Sequence, residues 1–389
     1  MHKLAKISEL LIGQPMFKLL ALSQSLERSG EKIIHFEIGD PNLGSPKIAI
    51  DAAKNALDLE MTHYTDSLGL FELRQEIINY TDKFWKFKPD IEQVLVCPAN
   101  ACIDFSIRCI SNPGDEVILP DPCFPTYSSV LKYNGINAVF VPLKPENEFR
   151  MLPCDIASRI TNKTKMIIIN SPQNPTGSVL EEDDIIKIAK LAEKHGIYLL
   201  TDEVYSRLLF EGKHFSPSYL DHCREHTIIL NSFSKLYSMS GWRLGYVIGP
   251  RKLIEKMGLL LQTIFSCLPG FTQMAAISVL KNDTDYVEML LKEYTKRKNT
   301  LMEGLNDVRG IKCIQPKGAF YMFPKLTHSK FSTYEYSEKI LKEEGICVLP
   351  GEYFGKNGKG FLRLSFSQTS IDTIELAIEK MKKFNNKYL

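Results

Sequence analysis

Thr227-Ile-Ile-Leu230-Asn231-Ser-Phe-Ser-Lys235-Leu-Tyr-Ser-Met-Ser-Gly-Trp-Arg243 is the stretch from which the rest of the chain can be read. Its first four residues form an apolar run that reads as a strand buried on both faces. A loop rich in hydroxyls follows, with one lysine and, eight residues on, one arginine. A lysine held in such a loop can form a Schiff base with an aldehyde. Ser232, Ser234 and Arg243 are suited to a phosphate. Pyridoxal phosphate (PLP) carries both an aldehyde and a phosphate. The plainer reading is a surface lysine in a serine-rich loop, and this segment alone does not choose between them.

Six more short apolar runs lie around it: Val94–Cys97, Glu116–Leu119, Ala138–Val141, Met166–Asn170, Tyr198–Thr201 and Gly245–Ile248. Most are continuous rather than alternating, as in strands covered on both sides. Helical patterns separate several of them. In Glu181–His195, apolar residues at 185, 186, 188, 189, 191 and 192 alternate with charges, and Gly196 follows as a C-cap. Strand and helix in series predict an α/β sheet with helices on both faces. Ligands of such sheets bind beyond the carboxyl ends of the strands. Asn174, Asp202 and Lys235 all lie just past strand ends, so the sheet places them on one rim.

The 389 residues suit about two domains. A hydrophobic content of 44%, a charged content of 24% and a net charge of +2 describe an ordinary soluble protein. They give no electrostatic reason to expect nucleic acid or a membrane surface as partner. No apolar run approaches the ~20 residues of a membrane span, and the N-terminus shows no signal peptide. The nine cysteines are scattered, odd in number and without a C-x-x-C pair. Structural disulfides and a zinc site are not expected, no metal is expected, and a reducing, cytoplasmic setting fits. After Pro250 the pattern is helical to about Val308. Strand-like stretches at Ile311–Gln315 and Ala319–Pro324 come next, then a helix at Tyr334–Glu344, strands at 346–349 and 361–366, and a final helix at Ile371–Phe384. This reads as a smaller α+β domain.

Three further segments carry chemistry. Ile167-Ile-Ile-Asn170-Ser-Pro-Gln-Asn174-Pro-Thr-Gly177 is a strand entering a turn. Leu199-Leu-Thr-Asp202-Glu-Val-Tyr205 is a strand ending in a carboxylate and a phenol. Gly360-Phe-Leu-Arg363-Leu-Ser-Phe is an apolar strand carrying an arginine. A buried carboxylate at Asp202 needs a partner, although an N-cap aspartate would look the same. Arg363 among apolar neighbours wants an anion; the alternative is a strand arginine facing solvent. The basic, glycine-rich Gly355–Gly360 lacks the order of a phosphate-binding loop and reads as a turn.

The series Asn174, Asp202, Tyr205, Lys235, Arg243, Arg363 resembles the class I/II aminotransferases of PLP fold type I. The likeness runs from Gly39-Asp-Pro to the C-terminal helix. It implies a large PLP-binding domain (46–285) built on a mostly parallel seven-stranded sheet, and a small α+β domain (1–45 and 286–389). It makes Lys235, Asp202 and Tyr205 catalytic. Asp202 would pair with the protonated pyridine nitrogen, and Tyr205 and Asn174 would bond the ring's phenolic oxygen. Phe124 would stack on the ring. Ser232, Ser234, Arg243 and the backbone amides around Asn100 and Ala101 would hold the phosphate, with Ala99 standing where the family usually has glycine. Tyr64 would reach the phosphate of the partner subunit, which implies a homodimer with shared active sites. Arg363, with Gly39 and Asn174, would bind the substrate α-carboxylate.

The activity implied is transfer of an amino group from an L-amino acid to a 2-oxo acid, in ping-pong fashion. Lys235 would carry the proton between the substrate α-carbon and the cofactor. Some aspartate-type relatives have a lysine where Ala101 stands. With that lysine missing and Pro15-Met16-Phe17 apolar, a neutral donor is expected. A carbon–sulfur β-lyase on the same fold is the first alternative. A non-enzymatic PLP-binding sensor domain is the second, disfavoured by the short segment before Gly39.

Overall fold

Seven strands form the central sheet of the computed structural model, which describes residues 3–11, 13, 16–327 and 329–389. They are β1 (Val94–Val96), β2 (Glu116–Asp121), β3 (Asn137–Pro142), β4 (Thr164–Asn170), β5 (Tyr198–Asp202), β6 (Thr227–Ser232) and β7 (Gly245–Ile248). Their order across the sheet is β1-β7-β6-β5-β4-β2-β3. Neighbours are parallel except around β7, which runs antiparallel to both β1 and β6. All seven correspond to the apolar runs of the sequence. Pro15, part of the apolar stretch before the second helix, lies outside the described residues.

The continuous apolar strands follow from double coverage. Ile167 and Ile169 of β4 pack on one face with Ile185, Ile188 and Ala192 of the helix Glu182–His195. Met166 and Ile168 point the other way, toward Cys102, Ile103 and Phe105 of the helix Ala99–Ile110. Each such side chain contributes about 1.5–3 kcal/mol on burial. Helix Glu182–His195 has acidic residues in its first turn and Lys194 and His195 in its last, matching the helix dipole. It ends where Gly196 takes φ 61°, a left-handed conformation that suits glycine.

The N- and C-terminal parts of the chain pair with each other. Ile34–His35 runs parallel to Ile346–Cys347. Leu362–Ser365 is the middle strand of a second small sheet, antiparallel to Tyr321–Met322 and Leu349–Pro350. The strand stretches expected at 311–315 and 319–324 are shorter than read, Ile311–Lys312 and Tyr321–Met322. Each finds only a two-residue partner: Ile311–Lys312 pairs with Lys325–Leu326, and Tyr321–Met322 with Leu364–Ser365.

One expectation fails. Cys97 and Cys102 are joined by a disulfide across the turn from β1 into helix Ala99–Ile110, with Cα atoms 6.5 Å apart. The remaining seven cysteines are free. Four residues lie between the pair, a spacing that matches no motif. The chain's reversal at Pro98 brings the two together.

Candidate active site

The sheet register builds the site. Asn170 of β4 stands opposite Asp202 of β5, and Asp202 opposite Leu230 of β6. β4 and β5 end level there, β6 runs two residues further to Ser232, and the three carboxyl ends open into one cavity of about 320 Å³. Of the residues read from sequence, Gly39, Asn100, Phe124, Asn174, Asp202, Tyr205, Ser232, Ser234, Lys235, Arg243 and Arg363 line it. Ala101 and Tyr64 do not. Tyr64 stands on the surface, 86% exposed.

Lys235 sits in the short helix Phe233–Leu236 that begins where β6 ends. Ser232 caps this helix, accepting from the Ser234 amide at 3.1 Å. The lysine Nζ donates to the Gly39 carbonyl at 2.7 Å. Burial lowers its pKa to about 8; Asp40 opposes that shift, and the positive charges of Arg363 and Arg243 reinforce it. A fair fraction of the amine is thus a free base near neutral pH.

Asp202 is buried and ends β5. Tyr127 donates its hydroxyl to Oδ2, and the Val204 amide reaches Oδ1 at 3.3 Å. Burial raises the carboxyl pKa to about 6, against the lowering effect of the Tyr127 bond. A cation beside it would offset that burial. The Oδ1 of Asn174 is buried without a hydrogen-bond partner, a polar atom that a ligand group would satisfy. Tyr205 and Tyr321 meet hydroxyl to hydroxyl at 2.8 Å. Phe124 presents an aromatic ring to the cavity, edge-on to Tyr127.

The phosphate end is a helix N-terminus. Helix Ala99–Ile110 makes its first closing bond from the Cys102 amide to the Pro98 carbonyl at 3.1 Å. The amides of Ala99, Asn100 and Ala101 precede that bond and suit an anion. Gly245 lets this turn close in, because a Cβ there would lie 2.7 Å from the Asn231 carbonyl oxygen and 3.3 Å from the Ala99 nitrogen. Arg243 is exposed on the rim in the left-handed conformation, φ 56°. Ser232, Ser234, Arg243 and the helix amides together make a cradle whose chemistry fits a phosphate, with Lys235 and Asp202 further in. The donor set therefore matches PLP end to end.

Arg363 is 2% exposed, which removes the solvent-facing reading. Its Nη2 donates to the Glu37 carbonyl, its Nε has no partner, and its guanidinium lies over the rings of Tyr321 (4.8 Å) and Phe354 (5.1 Å). Burial lowers its pKa. Gly39 passes so close to Tyr321 that any Cβ would overlap the phenol. Tyr127 and Tyr321 were not singled out by sequence reading. Each lies in an aromatic-rich stretch indistinguishable from core, and only the three-residue step from Phe124 hinted at Tyr127.

A fold of this type with a lysine, a strand-end carboxylate and a buried arginine on one rim defines a PLP-type transferase framework. The family described as "Aminotransferase class I and II" matches residues 31–381, and the chain belongs to that family; it is an aminotransferase. The family is PLP-dependent. Aspartate aminotransferase of Pyrococcus horikoshii is 35% identical over 373 residues, 95% of each chain. Aromatic-amino-acid aminotransferase 2 of Thermococcus litoralis is 35% identical over 374 residues, 94% of each. The structure of aspartate aminotransferase from Thermus thermophilus with maleate superposes with a TM-score of 0.94 at 30% identity, covering 98% of this chain and all of that one. Relatives of equal identity thus bear different substrate names. Among the described residues no helix is long and apolar enough to cross a membrane.

Proposed function

We propose that this aminotransferase binds PLP on Lys235 and transfers the amino group of a neutral L-amino acid to a 2-oxo acid by a ping-pong route. The observation that carries the reading is the convergence of Lys235, Asp202, Asn174 and Arg363 on one cavity. When bound, PLP supplies an aldehyde that condenses with amines and a ring that accepts the electron pair released at the substrate α-carbon.

The chain's residues do the rest. Asp202 holds a proton on the ring nitrogen, and Tyr127 steadies Asp202. Asn174, through its amide nitrogen, and Tyr205, through its hydroxyl, would donate to the phenolic oxygen. Ser232, Ser234, Arg243 and the amides of Ala99 and Asn100 would hold the phosphate. Arg363 takes the substrate carboxylate, its unpartnered Nε and its Nη2 forming the fork. Lys235, a base near neutral pH, then takes the α-proton and returns it to the cofactor as an acid.

The donor side chain meets Met16, Phe17 and Ile38. Among the described residues the cations lining the cavity are Lys235, Arg243 and Arg363, each already assigned. A second carboxylate would lack a partner there. Initial velocities with varied amino acid and 2-oxo acid test the route. Parallel reciprocal plots and oxo-acid-dependent turnover support it. Ammonia and pyruvate released from cystathionine or cysteine without an acceptor would point to the β-lyase instead.

A further inference from the structure

His35 carries a carboxylate on each ring nitrogen. Nδ1 is 2.7 Å from Glu37 Oε1 and Nε2 is 3.0 Å from Glu27 Oε1. Ionised carboxylates only accept, so both nitrogens donate and the ring is an imidazolium. Glu27 lies in the last turn of helix Met16–Arg28, whose first residues, Met16 and Phe17, line the cavity. Glu37 has no exposed surface, and its Oε2 has no hydrogen-bond partner. An ion so deeply placed depends on the one cation bonded to it.

The segment that holds this pair also holds the site. The Glu37 carbonyl accepts from Arg363 Nη2, and two residues on the Gly39 carbonyl accepts from Lys235 Nζ. Upstream, the segment is fixed by the Ile34–His35 pairing with Ile346–Cys347 and by Thr369 Oγ1 donating to the His35 carbonyl at 3.1 Å. The Phe36 carbonyl accepts from the Ser365 amide at 2.8 Å, on the strand of Arg363 itself. Rotation of Glu37 would move the carbonyl that aims the guanidinium.

We propose that His35 is a positioning residue for the substrate-carboxylate site: clamped between Glu27 and Glu37, it fixes the carbonyl that orients Arg363 and ties the cavity-lining helix Met16–Arg28 to it. The inference rests on the reading of Arg363 as the carboxylate-binding residue. A purely stabilising His35 would alter melting temperature and leave carboxylate binding intact.

The test uses holoenzyme of the wild type, His35→Gln and Arg363→Lys. Two readouts are taken: KM and kcat for phenylalanine, and spectral titration with 3-phenylpropionate, a carboxylate that cannot react. His35→Gln is expected to raise KM and weaken the inhibitor together, each about tenfold, as expected when one charge-assisted bond behind a binding group is lost, with kcat within about twofold. Unchanged KM and inhibitor affinity, or a fall in kcat alone, overturns the proposal. If Arg363→Lys binds the inhibitor as well as wild type, the reading of Arg363 fails and the inference with it. Should His35→Gln not yield holoenzyme, Glu27→Gln is read the same way, with an expected shift of about threefold because the Glu37 bond remains.

Discussion

The amine of Lys235 donates to the carbonyl oxygen of Gly39 at 2.7 Å, joining residues 196 apart in sequence. Gly39 belongs to the segment that also meets Arg363 through Glu37. The loop beside the proposed carboxylate site is therefore bonded directly to the proposed base.

Lys235→Ala should lower kcat about a thousandfold or more while leaving the fold intact, since the amine is both attachment point and base. Borohydride should fix PLP to the wild type, and peptide mapping should find it on Lys235. Because the amine's pKa is lowered to about 8, covalent uptake of PLP by the apoenzyme should quicken with rising pH and level off above about 8, where the free base prevails. Uptake that is flat across that range, or an adduct on another lysine, defeats the assignment.

Asp202 supports a prediction in which stability and activity move apart. Its folded pKa is raised to about 6 by burial, so the native apoenzyme binds a proton more tightly than the unfolded chain. That contribution is present at low pH and is lost as pH rises from about 4 through about 6. At pH 7.5 the ionised carboxylate then costs the apoenzyme up to about 3 kcal/mol. Asp202→Asn removes the charge, so its apoenzyme should melt no lower than wild type at pH 7.5. Its kcat should nevertheless fall at least about a hundredfold, because the ring nitrogen loses its counter-ion. An Asp202→Asn apoenzyme melting well below wild type at that pH would falsify the account.

His35 shares that sign, because its pKa too is raised on folding. Its pKa is raised to about 9, chiefly by the Glu37 hydrogen bond, with Glu27 adding to it. The charged groups facing the pair are Glu27 and Glu37, with the Cys347 thiol and Arg363 beside Glu37. The stability it supplies is complete below about pH 6.5 and fades as pH rises through about 9. Between about pH 7.5 and 9.5 the melting temperature of the wild type should drop more than that of His35→Gln. Parallel curves for the two would remove the imidazolium from the account.

Tyr64 is 86% exposed in a chain whose other large aromatics are mostly buried. The reading from family resemblance is a homodimer in which Tyr64 reaches the partner's phosphate. Sedimentation at assay concentration should find a dimer. Tyr64→Phe should weaken PLP binding by about 1.5–3 kcal/mol, the range for one hydrogen bond to a charged group, with turnover at saturating PLP retained. An active monomer would refute the shared site.

The large sheet was legible in the sequence because both faces of each strand are buried, so Met166–Ile169 or Ile228–Leu230 cannot alternate. The strand-end positions of Asn174, Asp202 and Lys235 followed from that alone. The small sheets were harder, since strands such as Tyr321–Met322 are two residues long, too short to show a period. Tyr127 and Tyr321 were hidden because their phenols act through tertiary contacts, with Asp202 and Tyr205, that no local spacing encodes. Ala101 was placed by the family resemblance; the helix opens at Ala99, and Ala99 and Asn100 line the cavity while Ala101 does not. The Cys97–Cys102 bridge was missed because it is made by the turn, not by a spacing.

The donor is the sharpest question, because relatives of equal identity bear aspartate and aromatic names. We propose that charge decides it. Arg363 is bonded to Glu37 and stands ready for the α-carboxylate; Arg243 is at the rim beside Ser240, donating to its carbonyl at 2.5 Å. Lys235 is proposed to be engaged with the cofactor. A distal carboxylate would then face Met16, Phe17 and Ile38, exchanging water for methyl and phenyl groups, at a cost of several kcal/mol. An aromatic or branched side chain gains from the same surface, about 1.5–3 kcal/mol when fully covered. In single-turnover conversion with alanine, leucine, phenylalanine, aspartate and glutamate, phenylalanine and leucine should therefore lead in kcat/KM. Phe17→Ala should cost phenylalanine about tenfold and alanine little, since the lost contact lies beyond the β-carbon. If aspartate exceeds phenylalanine by more than about tenfold, a preference of about 1.4 kcal/mol, a cation outside this cavity lining serves the distal carboxylate and the neutral-donor reading is wrong.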